Sequence, residues 1–140
     1  MSADFFDSNV LLYLMDESNP GKRATAERLV AEGLRTGEAQ ISFQVVQETL
    51  NVITRKVQVP TNPDDARRFL SDVLVPLWRV MPTHALYERA LDIQARYRYS
   101  FYDSLIIAAA LAAGCTRLYS EDLQHGQQIE GVRIENPFAE

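Results

Sequence analysis

Ser100-Phe101-Tyr102-Asp103-Ser104-Leu105-Ile106-Ile107-Ala108-Ala109-Ala110, closed by Gly114, decides the fold. Ser100 followed by Asp103 has the spacing of a capping box. The nearly all-apolar run that follows ends at a glycine suited to a C-terminal cap. A helix apolar on almost every side must be buried. Leu105 to Ala113 is too short to span a bilayer, so it is a core helix of a folded domain. Asp103 then stands at the mouth of that helix, on the rim of the core. Taken alone it reads as a first-turn carboxylate that satisfies free backbone N–H groups and complements the helix dipole.

Outward from this helix the chain alternates short apolar runs with longer amphipathic ones. Ala3–Phe6 reads as a first strand and Val10–Met15 as a short helix broken at Asn19-Pro20-Gly21. Residues 22–35 form an amphipathic helix with Ala26, Leu29, Val30 and Leu34 on its apolar face. Gln40–Ser42 is a second strand. The helix after it runs from Phe43 to about Val57, striped by Val46, Leu50, Ile53 and Val57 and ended by Pro60. Asn62-Pro63 opens another helix through Phe69, Leu70 and Val73, stopped at Pro76. Leu77–Val80 is a third strand, and Thr83 starts a helix striped by Leu86, Ala90, Ile93 and Tyr97. After the core helix come a fourth strand at Arg117–Tyr119, a short turn of helix after Ser120, and a fifth strand at Val132–Ile134. Strands alternating with helices imply an α/β fold, a mostly parallel five-stranded sheet covered on both faces. Ligands of such folds sit at the carboxyl ends of the strands, near a switch in strand order.

The totals agree with a single domain over residues 1–140. At 46% hydrophobic and 24% charged, the chain is not of disordered composition. One cysteine, Cys115, allows no intramolecular disulfide and fits a reducing cytoplasm. Met1-Ser2-Ala3-Asp4 lacks the charged and apolar regions of a signal peptide. The net charge of -5 argues against broad duplex binding through phosphates. It leaves room for a nuclease, whose metal site needs carboxylates, and for a basic partner. There is no phosphate-binding glycine loop and no G-x-S-x-G elbow. His84 and His125 are isolated, so no zinc site is on offer.

Four acids fall just past strand ends or in early helix turns: Asp7, Glu48, Asp103 and Asp122. Asp4 is excluded. At about 3.3 Å per residue it lies ~10 Å from Asp7, toward the other end of the strand. Singly, each acid has an ordinary reading, as a turn residue, a polar helix face or a helix start. Those readings do not explain four acids on one edge. Clustered carboxylates repel and are costly to bury without cations. The usual relief is Mg²⁺ or Mn²⁺, which take oxygen ligands and keep waters. Such ions serve phosphodiester hydrolysis.

At this point the chain resembles a known family. Phe5-Phe6-Asp7-Ser8-Asn9-Val10-Leu11, Ile41-Ser42-Phe43-Gln44-Val45-Val46-Gln47-Glu48, Ser100-Phe101-Tyr102-Asp103-Ser104-Leu105-Ile106 and Leu118-Tyr119-Ser120-Glu121-Asp122-Leu123-Gln124-His125-Gly126 resemble, in order, the acidic segments of PIN-domain proteins. Within that family the likeness is specifically to the small VapC-like ribonuclease toxins of bacterial toxin–antitoxin pairs. The match runs nearly end to end. Two positions depart from the family: threonine usually follows the first aspartate, where Ser8 stands, and tryptophan often replaces Tyr102.

The resemblance implies a three-layer, Rossmann-like α/β/α sandwich and Mg²⁺- or Mn²⁺-dependent cleavage of single-stranded RNA, whether transfer, ribosomal or messenger. It implies catalytic metal ligands at Asp7, Glu48, Asp103 and Asp122, with Asn9 and Ser120 as supporting polar residues. Glu121 lies beside Asp122, and Asp122 matches the motif position. The resemblance also implies a homodimer held inactive by a cognate antitoxin.

Arg96, Arg98 and Tyr99, just before the core helix, are candidates for RNA contact, because arginine and aromatic side chains suit unpaired RNA. An ordinary helix end explains them equally well, and Tyr97 continues the apolar stripe. Two rival functions stand beside this one. One is a PIN-like module that binds RNA or a partner without cleaving, which loss of divalent-metal binding would indicate. The other is a receiver-like signalling domain, which needs a lysine after a late strand. None follows Leu118-Tyr119 or Val132-Arg133-Ile134.

Overall fold

The structure, a computed structural model, describes residues 3–55 and 62–139. Its strands are β1 (Asp4–Phe6), β2 (Ala39–Ser42), β3 (Trp78–Val80), β4 (Arg117–Tyr119), β5 (Gln128–Ile129) and β6 (Val132–Glu135). They form one sheet in the order β3-β2-β1-β4-β6-β5, parallel except for the β5–β6 pair. The chain steps outward from β1 to β3 on one side, then returns to lay β4 on the other side of β1. The strand order therefore reverses between β1 and β4, which is where open α/β sheets place ligands.

The helices are α1 (Ser8–Leu12), prolonged by a 3₁₀ turn at Tyr13–Met15, α2 (Pro20–Thr36), α3 (Phe43–Arg55), α4 (Pro63–Phe69), α5 (Val75–Leu77), α6 (His84–Tyr97) and α7 (Phe101–Ala112). The core helix forms as its sequence requires. Ser100 Oγ accepts the Asp103 N–H at 3.2 Å, and every residue from Ser104 to Ala110 is buried. The helix ends at Gly114, which turns through a left-handed φ of 73°.

Alternation along the strands sends Phe6 and Ala39 to one face and Phe5 and Gln40 to the other. α2 lies on the first face and touches it at Gly33. A Cβ placed there would come 2.5 Å from Ala39 Cβ. α7 lies on the second face, where Gln40 Nε2 donates to Ala113 O at 3.4 Å. The result is the three-layer α/β/α arrangement. Its apolar centre includes Phe5, Phe6, Ile41, Ile107, Leu118 and Ile134, all at most 1% exposed.

Three local features differ from the sequence expectation. The sheet has six strands rather than five, because Gln128–Ile129 folds back antiparallel on β6 through Glu130, which adopts a φ of 51°. Two residues are too few to show an alternating pattern. Pro76 does not stop the helix that opens at Pro63. A π segment at Leu70–Leu74 sends the Val75 N–H to Leu70 O, and this wider turn passes over the missing N–H of proline. No helix follows Ser120. The Asp122 N–H bonds to Ser120 Oγ, and the Gly126 N–H bonds to Ile134 O at 2.8 Å, so this segment runs back along β6. Val57 and Pro60, the expected end of the α3 stripe, lie outside the described residues.

Candidate functional site

Asp7 closes β1. Its N–H reaches Tyr119 O at 3.0 Å, across the point where the strand order reverses. Its carboxylate caps α1, with Oδ1 accepting the Ser8 N–H at 2.7 Å. Ser120 follows β4 directly, is fully buried, and donates its hydroxyl to Asp7 Oδ2 at 2.7 Å. The same Oγ accepts the Asp122 N–H at 3.2 Å. Asn9, two positions past Asp7, stands between two acids. Its Nδ2 lies 3.4 Å from Asp7 Oδ2 and 3.3 Å from Asp122 Oδ2, and its Oδ1 accepts the Glu121 N–H.

Glu48 and Asp103 arrive on the two helices that start at this edge. Gln44, one turn before Glu48 on α3, donates through Nε2 to Glu48 Oε2 at 3.5 Å and to Tyr102 O at 3.1 Å. A single buried amide therefore ties the Glu48 side chain to the first turn of α7. Its Oε1 and the Ser104 hydroxyl are buried without a hydrogen-bond partner among the described residues.

Electrostatics links the four acids expected from sequence. Asp7 is pushed up to about 6, first by burial. Hydrogen bonds from Ser120 and Ser8 oppose the rise, and the charges of Glu48 and Asp122 add to it. Glu48 is also raised, first by burial. Gln44 and Ser8 oppose this, and Asp103 and Asp122 reinforce it. Asp7, Glu48, Asp103 and Asp122 thus face one edge, where the charges of Glu48 and Asp122 bear on Asp7 and those of Asp103 and Asp122 bear on Glu48.

The neighbouring acid turns away. Burial alone would raise Glu121, but hydrogen bonds from Lys22 and Tyr13, together with the Lys22 charge, hold it below the usual carboxylate range. Lys22 Nζ lies 2.7 Å from Glu121 Oε2, and Tyr13 Oη donates to Glu121 Oε1. Asp4 is likewise engaged elsewhere, in a two-pronged pair with Arg117 at 3.0 and 3.2 Å. Both histidines make local contacts away from this edge. His84 is exposed beside Glu88, and His125 Nδ1 accepts the Asn136 N–H.

The donor chemistry of the edge suits a hard divalent cation: oxygen ligands, negative, and mutually repelling. Among the described residues, no three His, Cys, Asp or Glu side chains are drawn together tightly enough to hold an ion by themselves. Asn9, set between Asp7 and Asp122, spaces those two carboxylates. An ion that keeps several waters and takes one or two direct carboxylates does not need three.

The remaining sequence candidates lie along the approach to α7. Arg96 is exposed in the last turn of α6, and Arg98 ends that helix at a left-handed φ of 62°. Tyr99 is half-buried, with its hydroxyl held by Gln127 Oε1. Sequence reading misses the roles of Gln44, Tyr13 and Lys22. Gln44 does carry a signal, since it precedes Glu48 by four positions and so shares its helix face. Nothing in the sequence pairs residues 13 and 22 with residue 121. Among the described residues, no helix is long and apolar enough to cross a membrane.

Comparison with known proteins follows the same lines. The model of the PIN domain matches residues 5–127. No curated protein matches the chain. Similar solved structures include a toxin–antitoxin complex from Klebsiella pneumoniae, at TM-score 0.69 and 18% identity over 98% of each chain. Another is Mycobacterium tuberculosis VapC20, a toxin that cleaves the sarcin–ricin loop, at TM-score 0.60 and 24% identity over 86% of this chain and 90% of that one. A third is VapBC2 from Rickettsia felis bound to a DNA fragment from its promoter, at TM-score 0.66 and 16% identity over 96% and 98%.

Proposed function

The chain belongs to the PIN domain family, and from that premise we propose that it is a metal-dependent endoribonuclease, the toxin of a toxin–antitoxin pair. The observation that carries this reading is the convergence of Asp7, Glu48, Asp103 and Asp122 on the carboxyl edge of the sheet, at the reversal of strand order. Structural neighbours that are toxins in complex with antitoxins support a cognate antitoxin as partner. The substrate is single-stranded RNA, and the working form is a homodimer in the cytoplasm.

Asp7, Glu48, Asp103 and Asp122 would hold Mg²⁺ or Mn²⁺ between them, one or two directly and the others through the ion's waters. Such an ion would supply Lewis acidity toward a phosphoryl oxygen and a more acidic water. The chain's own residues set the stage. Ser120 and the Ser8 amide fix the Asp7 carboxylate in orientation, Asn9 spaces it from Asp122, and Gln44 orients Glu48. Asp7 must give up its proton for the site to reach full negative charge, and burial makes that release late.

The test is cleavage of a mixed single-stranded RNA pool by purified protein with Mn²⁺ or Mg²⁺, with chelator, and with Asp103→Asn. Cleavage that chelator removes and the variant lacks is the expected result. Cleavage of equal rate in Asp103→Asn would place the chemistry elsewhere. Absence of both cleavage and divalent-metal binding would favour a module that binds RNA or a partner without cutting.

A further inference from the structure

Beside the acidic edge stands an aromatic side chain that neither the core nor the carboxylates use. Tyr102, immediately before Asp103 in the first turn of α7, is 66% exposed. Its ring meets Phe101 edge-on at 5.6 Å. Phe101 stacks on Tyr87 at 6.4 Å and 17°, and Tyr87 meets Phe43 at 6.5 Å. The four rings run from the start of α3, which carries Glu48, across α6 to the start of α7, which carries Asp103. The Tyr102 backbone is fixed by the Gln44 amide that also reaches Glu48. The ring is therefore braced from below and tied by main chain to the site.

We propose that Tyr102 is a stacking platform for an unpaired nucleobase next to the scissile phosphodiester. The inference rests on the nuclease reading and adds how the substrate is gripped. Charge is the reason a grip of this kind is needed. The chain carries -5 overall, and Lys22, which stands at this edge, is engaged by Glu121. A strand bound here gains little from phosphate–lysine contacts. Base–aromatic stacking supplies affinity that depends on neither charge nor sequence. Tyr99, the aromatic expected from sequence, has its hydroxyl held by Gln127 and packs partly against the core. Tyr102 is far more open than Tyr87, the other exposed ring of the row, at 66% against 38%.

Two measurements test this. In steady-state cleavage of an unstructured RNA with Mn²⁺, Tyr102→Ala should raise KM roughly tenfold with kcat little changed, whereas Tyr102→Phe and Tyr102→Trp keep KM within about twofold. In Ca²⁺, the fluorescence of Tyr102→Trp should be quenched as the same RNA is added, beyond any change shown by wild type, whose one tryptophan is Trp78. Cleavage with an unchanged KM in Tyr102→Ala, or no added quenching in Tyr102→Trp, overturns the platform and leaves the nuclease reading standing. Quenching without cleavage by wild type overturns the nuclease reading and, with it, the placement of the ring beside a scissile bond, leaving Tyr102 as a base-stacking contact alone. A Tyr102→Ala protein that changes its mass in light scattering while KM holds assigns the ring to contact between copies of the chain, and the proposal falls.

Discussion

Ser120 donates its hydroxyl to Asp7 Oδ2 at 2.7 Å, joining the residues that follow the two central strands, β4 and β1. The bond is buried and spans 113 positions of sequence. It is the leading favourable contact to the Asp7 charge, ahead of the Ser8 amide. Ser120→Ala should therefore push Asp7 further up and leave the Asp122 N–H without its acceptor. Mn²⁺ affinity at neutral pH should fall roughly tenfold, as when partners behind a metal ligand are lost. The pH midpoint of binding should move upward. Titration calorimetry at several pH values checks both, and an unmoved midpoint would remove Ser120 from this role.

Asp7 itself predicts a pH dependence of stability. Its carboxyl is raised from 3.8 to about 6 in the folded chain, so the charged form is the one that folding penalises. The sign follows: its contribution favours folding fully below the unfolded value and is lost as pH rises through about 6. The gap is worth ~3 kcal/mol at most. In chelator, Asp7→Asn should be more stable than wild type above about pH 6, with the advantage shrinking toward pH 4. Urea unfolding across that range measures it. A difference constant with pH would mean that Asp7 is not raised.

Adjacent acids should behave differently. Asp122 shares the Asn9 amide with Asp7, whereas Glu121 is held by Lys22 and Tyr13. Asp122→Asn should weaken Mn²⁺ binding and cleavage. Glu121→Gln should spare metal binding and cost less than ~1 kcal/mol of stability, because its ion pair is partly exposed. Equal losses of metal affinity in the two variants would show that both acids serve the site.

Gly33 should tolerate no side chain. Even a methyl group there would meet Ala39 Cβ at 2.5 Å, between α2 and the sheet. Gly33→Ala should destabilise by roughly 1–3 kcal/mol through overpacking. Thermal unfolding gives the number. Gly21→Ala, where a Cβ meets nothing within 4 Å, is the control.

The alternation of elements was legible because it rests on local signals. Thr83 and Ser100 cap α6 and α7 through their side chains, as their positions in the sequence suggest. The apolar run after Asp103 is buried along most of its length. The acid edge was legible because parallel strands deliver their following residues to the same side. What escaped was set by tertiary contact. The segment after Ser120 forgoes a helix because its backbone finds partners on β6. Gln44, Tyr13 and Lys22 gain meaning only from residues 102 and 121, far away in the chain.

The pairing of β1 with β4 also governs when the site can come into being. Asp4, Phe5 and Phe6 align with Arg117, Leu118 and Tyr119, so the central strand lacks one neighbour until most of the chain has been synthesised. Closing so long a loop is slow, and contacts of high sequence separation form late. Asp7 waits for Ser120 and Asp122 over the same interval. A nascent or prematurely terminated chain therefore carries its first three acids without the fourth, and the acidic edge is assembled only once translation has passed residue 122.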